Sequence, residues 1–233
     1  MIYIYNIMKE KLQFISRAIL AGICIALGGY VNMSVGGIGG AVLFAFGLCC
    51  VLIYGLKLFT GKAGAIWDNL DVLKPQKGSQ ITFLNRSRYL GYLVLVLLFN
   101  IIGCGLIGGI AQVTDLWNAD FATRLTGLVN KRIEMGLLNN FVLAIGCGII
   151  MRLCVKGYAK GEGFAKFVPT FFGVPLFILC GFPHCVADAF YYLAQPWDVL
   201  ATNWQMILPV YGMTILGNFV GCNILSIFNY QTN

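Results

Sequence analysis

Long apolar runs separated by short polar gaps make up most of the chain. No residue from Ala18 to Leu56 is charged. That is too long for one helix crossing ~30 Å of hydrocarbon, which takes about 20 residues. The glycines Gly36, Gly37, Gly39 and Gly40 divide it. The pattern predicts a first helix over about 15–33 and a second over about 41–58. The second then meets the polar run Phe59-Thr60-Gly61-Lys62, a break signal, and a weaker helical stretch continues toward Leu70. A third helix is predicted over 89–114, uncharged throughout, with Gly105 and Gly109 spaced for close helix packing. Residues 115–134 read as a mixed polar connection. A fourth helix over 135–151 runs into the basic stretch Arg152, Lys156, Lys160, Lys166. A fifth starts near 167, turns irregular at Gly181-Phe182-Pro183-His184 and resumes over 185–193. A sixth covers 206–228, with Pro209 near its start and Gly217 and Gly221 again at packing spacing.

This pattern predicts an all-α membrane protein. Six transmembrane helices form two inverted three-helix repeats, about 14–114 and 135–229, with broken second and fifth helices. The whole chain, 1–233, is expected to be one channel domain. Paired interruptions at matching places in two halves of opposite topology point to a substrate path at the repeat interface. Irregular backbone at membrane depth is tolerated only where protein buries it or a cavity meets it.

Composition narrows the class. The 233 residues are 59% hydrophobic and 11% charged, against about 25% charged in soluble domains. A soluble enzyme, a secreted disulfide scaffold and a disordered chain are excluded. The net charge of +7 does not indicate nucleic acid, because the cations are scattered through the polar gaps, as at membrane edges. With the N-terminus and the 2–3 and 4–5 connections on one side, only Arg124, Lys131 and Arg132 of the 16 Lys and Arg residues fall on the other. Both termini are therefore expected in the cytoplasm, and the chain is expected to be a multi-pass protein of the cell's inner (plasma) membrane. Residues 1–11 read as an amphipathic lead-in at the lipid surface rather than a cleaved signal peptide.

Candidate chemistry is sparse. The nine cysteines include no CxxC pair and read as small, reduced packing residues. His184 is the single histidine, so no multi-histidine metal site is expected, and neither is a cofactor. An ionisable group at a helix break within a span is a functional candidate; an imidazole there can lend a proton to an anion and take it back. Asp188, four residues on, either orients the imidazole or marks the membrane edge. Thr60 is either a cap or a hydroxyl donor to a permeant. Phe44, Leu48, Phe59 and Phe177 are bulky enough for pore constrictions, or are core. Lys131 and Arg132 are either solvated edge charges or a basic vestibule that concentrates anions. No phosphate-binding GxxxxGK[ST] run occurs, and too few acid–base groups are present to assemble an enzyme site.

Three stretches carry a resemblance. Phe44-Ala45-Phe46-Gly47-Leu48 with Lys57-Leu58-Phe59-Thr60-Gly61 resembles the second helix of the formate/nitrite transporter family. The run from Phe177 through Gly181-Phe182-Pro183-His184-Cys185-Val186-Ala187-Asp188 resembles its fifth, where Gly-Phe-Glu-His-Ser-Ile/Val-Ala-Asn carries a central histidine. Leu208-Pro209-Val210 and Leu216-Gly217-Asn218-Phe219-Val220-Gly221 resemble its sixth. The resemblance implies an aquaporin-like protomer in a homopentamer, one pore per protomer, passing monovalent anions of weak acids such as formate, nitrite or hydrosulfide. It implies that His184 and Thr60 form the proton relay, that Phe44, Leu48, Phe59 and Phe177 form constrictions, and that Lys131 or Arg132 is the vestibule cation. The chain departs from the family at Pro183 in place of Glu, Gly148 in place of Asn, and Asp188 in place of Asn. The alternative is an aquaporin-like channel for a small neutral solute, although the Asn-Pro-Ala signature is absent from both breaks.

Overall fold

The computed structural model describes residues 2–66, 83–114 and 118–227. The expected helical stretch toward Leu70 and the polar run through Asp71, Lys74, Pro75 and Lys77 lie outside them. Among the described residues all regular structure is helical. The helices are α1 (Ile2–Val35), α2 (Gly37–Ile53), α3 (Phe59–Ala63), α4 (Phe83–Gln112), α5 (Ala119–Glu134), α6 (Gly136–Lys160), α7 (Val168–Leu179), α8 (Cys185–Leu193) and α9 (Trp197–Ile227). A 3-10 turn, Gly163–Phe167, leads into α7. Among the described residues four segments are long and apolar enough to cross a membrane: Tyr5–Val35, Ser87–Gln112, Gly136–Lys160 and Trp197–Ile224. The amphipathic lead-in joins α1 without interruption, giving 34 residues and a length of about 51 Å.

The gaps that follow α2 and α7 have the same construction. α2 stops at Ile53, not at Leu58 as the apolar run suggested. Gly55 adopts φ 60°; its N–H donates to Leu52 O, and Leu56 N–H donates to Val51 O. α7 stops at Leu179, Gly181 adopts φ 71°, its N–H donates to Ile178 O, and Phe182 N–H to Phe177 O. Both are Schellman ends, which need a left-handed residue just past the helix and so favour glycine. The polar Thr60-Gly61-Lys62 run is not the break but part of α3, the short helix after it.

Two tight helix pairs frame the gaps. A Cβ at Gly22 of α1 would strike the Asn100 carbonyl of α4, and one at Gly103 of α4 the Ile19 carbonyl. Equivalently, Gly148 of α6 lies against the Asn218 carbonyl of α9, and Gly221 of α9 against the Ile145 carbonyl. Backbones approach this closely only where side chains are missing. Gly148 therefore has a steric reason to be glycine, which accounts for one departure from the resembled pattern. Gly105 and Gly109 do not make the expected close contact: Gly105 is at ordinary distance from Leu193 and Gly109 faces open space.

Residues 119–134, expected as a loop, form α5. Asn118 caps it by accepting Phe121 N–H. Phe121, Leu125, Val129 and Arg132 make a buried stripe at helical spacing, amphipathic rather than membrane-spanning in pattern.

Candidate functional site

His184 is the N-cap of α8, in extended conformation, and its Nδ1 accepts the Ala187 N–H at 3.1 Å. A neutral ring that accepts at Nδ1 carries its proton on Nε2. Nε2 lies 3.0 Å from Thr60 Oγ1, so the imidazole donates to the hydroxyl, and the hydroxyl keeps its own proton for a further acceptor. His184 and Thr60 are both buried. They approach from the two different gaps: Thr60 from the first turn of α3, His184 from the cap of α8. The Phe177 ring stacks on the imidazole at 5.5 Å and 24°, and Phe44 meets Phe177 edge-on at 6.0 Å and 86°. Leu48, one turn from Phe44 on α2, and Phe59, first residue of α3, join the same buried apolar cluster.

Two asparagines hold the gaps open. Asn100 Oδ1 accepts Phe59 N–H at 2.9 Å, while its Nδ2 donates to Lys57 O and Ala18 O, both at 2.8 Å. Asn218 Oδ1 accepts Cys185 N–H at 2.8 Å, while its Nδ2 donates to Pro183 O at 2.9 Å and Ala144 O at 2.8 Å. Each satisfies an orphan N–H at the start of a short helix and a carbonyl before it, groups that are costly to bury unpaired. One turn further along α4, Cys104 Sγ lies 3.2 Å from Val186 O and 3.5 Å from Gly22 O. One turn further along α9, Cys222 Sγ lies 3.3 Å from Thr60 O and 3.4 Å from Gly148 O. Each asparagine thus serves the gap in its own half of the chain, and each cysteine reaches the short helix of the other half. The signal for both was a repeated motif, Asn-x-x-Gly-Cys at 100–104 and again at 218–222, which the apolar pattern alone did not single out.

A cavity of about 380 Å³ leads from the surface to the imidazole. Lys131, Arg124, Arg132, Asp188, Phe177 and His184 help line it; Thr60, Phe44, Leu48 and Phe59 do not. Lys131 is exposed, whereas Arg132 is buried. Arg132 Nε lies 3.4 Å from Asp188 Oδ2, and its Nη1 donates to Gly181 O at 2.6 Å. Asp188 makes no bond to the imidazole ring, whose two nitrogens are taken by Ala187 and Thr60; it faces Arg132 and the His184 backbone. Arg124 Nη1 donates to Met33 O and Ser34 O at 2.8 and 2.7 Å, closing the last carbonyls of α1. Among the described residues no three His, Cys, Asp or Glu side chains gather to hold a metal, and all nine cysteines are free thiols.

The family described as formate/nitrite transporter matches residues 4–231. No curated protein matches the sequence. A solved structure described as "FNT family ion channel" superposes with a TM-score of 0.80 at 18% identity, over 95% of this chain and 90% of that one. A second, "Pentameric formate channel with formate bound", gives 0.77 at 21% identity, over 95% and 96%. At those identities the likeness is one of fold. With a match that runs almost end to end, and with helix gaps that meet at His184 and Thr60, the chain belongs to the formate/nitrite transporter family.

Proposed function

We propose that this protein is a membrane channel for small monovalent anions of weak acids, formate, nitrite or hydrosulfide, with passage assisted by a proton at His184. The observation that carries this reading is the 3.0 Å contact between His184 Nε2 and Thr60 Oγ1, made between two interrupted segments and reached from one side by a cavity with cationic walls. An anion drawn in by Lys131 meets the ring pair Phe177 and Phe44, where a bare charge is expensive. At the His184–Thr60 couple it takes up a proton that enters from the outer water and is relayed through the imidazole, which ends neutral as it began; it crosses the apolar stretch past Leu48 and Phe59 as a near-neutral acid and releases that proton to the water beyond. The matched Schellman ends and asparagine clamps support a six-span, inverted-repeat, aquaporin-like arrangement with broken second and fifth spans. The pentameric state of the solved formate channel supports a homopentamer, and the cation asymmetry supports cytoplasmic termini in the plasma membrane.

The test is flux into proteoliposomes, comparing formate, nitrite and hydrosulfide from acidic to mildly alkaline pH, with His184→Asn as control. Asparagine is a good helix N-cap but carries no titrating proton. Uptake that rises as external pH falls and loses this dependence in the variant upholds the reading. A folded protein that passes none of the three anions but conducts a neutral solute overturns it.

A further inference from the structure

Arg132 and Asp188 are only 4% and 1% exposed, and together they line the cavity that ends at His184. Their approach of 3.4 Å is long for a charge-assisted bond, which closes to about 2.7–2.9 Å. Arg132 Nε makes no well-aligned bond to the carboxylate, which is otherwise approached by the His184 backbone N–H. The backbone explains the gap. Asp188 sits in the first turn of α8 with its N–H tied to His184 O at 2.8 Å, and Arg132 is pinned from α5 by its 2.6 Å bond to Gly181 O. Both groups are thus anchored to the backbone of the gap that places the imidazole.

The two groups therefore do different things from a tight structural salt bridge. A buried guanidinium needs an anion beside it, since an uncompensated buried charge is strongly unfavourable. Asp188 supplies that charge without supplying the geometry. A small free anion with two oxygens fits the planar fork of an arginine better. Arg124, the other guanidinium of the cavity wall, is already engaged by two carbonyls of α1.

We propose that the Asp188 carboxylate masks Arg132, a cation of the outer cavity, and thereby sets how tightly the pore holds its permeant. This rests on the anion-channel reading. With Asp188 in place the cavity attracts through Lys131 but does not retain, so occupancy is weak and exit is fast. With the carboxylate gone, Arg132 and Gly181 hold the anion beside His184.

The experiment uses Asp188→Asn, Arg132→Gln and the double variant in the full-length protein, measured for formate and nitrite by proteoliposome flux and by anion-dependent thermal stabilisation in detergent. Expected is a several-fold fall in the half-saturating concentration for Asp188→Asn, in both readouts. The maximal rate should fall as release slows, and the double variant should return to near wild-type affinity. A merely structural pair would lower the amount of folded protein without moving half-saturation. An unchanged or raised half-saturation in folded Asp188→Asn overturns the proposal and leaves the channel reading standing. If the single variant does not fold, Asp188→Ser takes its place with the same expectation: a several-fold lower half-saturating concentration upholds the proposal, and an unchanged or raised one overturns it. If the wild-type protein passes neither anion, the channel reading fails, and stabilisation of Asp188→Asn at several-fold lower anion than wild type still upholds the site, equal stabilisation overturning it.

Discussion

His184 uses its two ring nitrogens for two separate tasks, one structural and one chemical. Nδ1 closes the N-terminus of α8 by accepting Ala187 N–H, and Nε2 addresses Thr60. The tasks come apart by substitution. His184→Ala loses the cap as well as the proton and should cost about 1 kcal/mol of stability, whereas His184→Asn should melt close to wild type; the comparison of the two melting temperatures is the check. Thr60→Val keeps the shape and removes the hydroxyl, and on the proposed reading it should depress flux strongly with the fold intact. Thr60→Ser should retain most of it. Gly148 is constrained sterically. A Cβ there would run into the Asn218 backbone, so Gly148→Ala should destabilise by roughly 1–3 kcal/mol, while Gly105→Ala, whose Cβ meets Leu193 at 3.5 Å, should be nearly neutral. Chemical denaturation of the purified variants separates these outcomes.

Among the elements, the short helices α3 and α8 depend on side chains from elsewhere. α3 has five residues, too few to hold itself, since isolated short helices are marginal even in water. Asn100→Ala should free Phe59 N–H and Lys57 O at once, at about 1–3 kcal/mol for each group left buried and unpaired. Asn218→Ala should do the same to Cys185 N–H and Pro183 O. On the proposed reading the first displaces Thr60 and the second His184, so both should lose more flux than stability alone explains; flux per folded protein is the measurement. The sequence announced part of this. His184 and Thr60 stood out because polar groups at an apolar interruption are expensive and seldom accidental. The end of α2 is harder to read, because the polarity of Thr60-Gly61-Lys62 outweighs Gly55, although a glycine after an apolar helix is the usual Schellman signal. α5 is hard to see in the sequence because its charges, Asp120, Arg124, Lys131, Arg132 and Glu134, hide the stripe of Phe121, Leu125 and Val129. Arg132 could be placed near the outer edge from sequence, but its engagement with Asp188 and Gly181 depends on how α5 folds back over α8, which no local pattern encodes.

Across the molecule, large apolar side chains such as Phe46, Phe172 and Leu138 are well exposed in the single protomer. In a bilayer they meet lipid or a neighbouring copy. The proposed pentamer expects native mass spectrometry in mild detergent to give five times the 25.5 kDa chain; a monomer or trimer would argue against it. The proposed orientation expects a fluorescent protein fused at the C-terminus to be bright and alkaline phosphatase at the same point to be inactive.

The crossed cysteines also bear on how such a protein is born. α3 is synthesised early, yet Thr60 O is met by Cys222 and Ala63 O by Asn223, both near the end of the chain on α9. While the ribosome is still making the second half, those carbonyls lack these two side-chain partners. On the proposed reading the early part of the passage is therefore completed only by α9, the latest of the described helices to be made. A nascent chain halted before α9 should be held at the insertion machinery or degraded instead of settling as a half-protein, and substitutions at Cys222 or Asn223 should show first as poor yield of inserted protein.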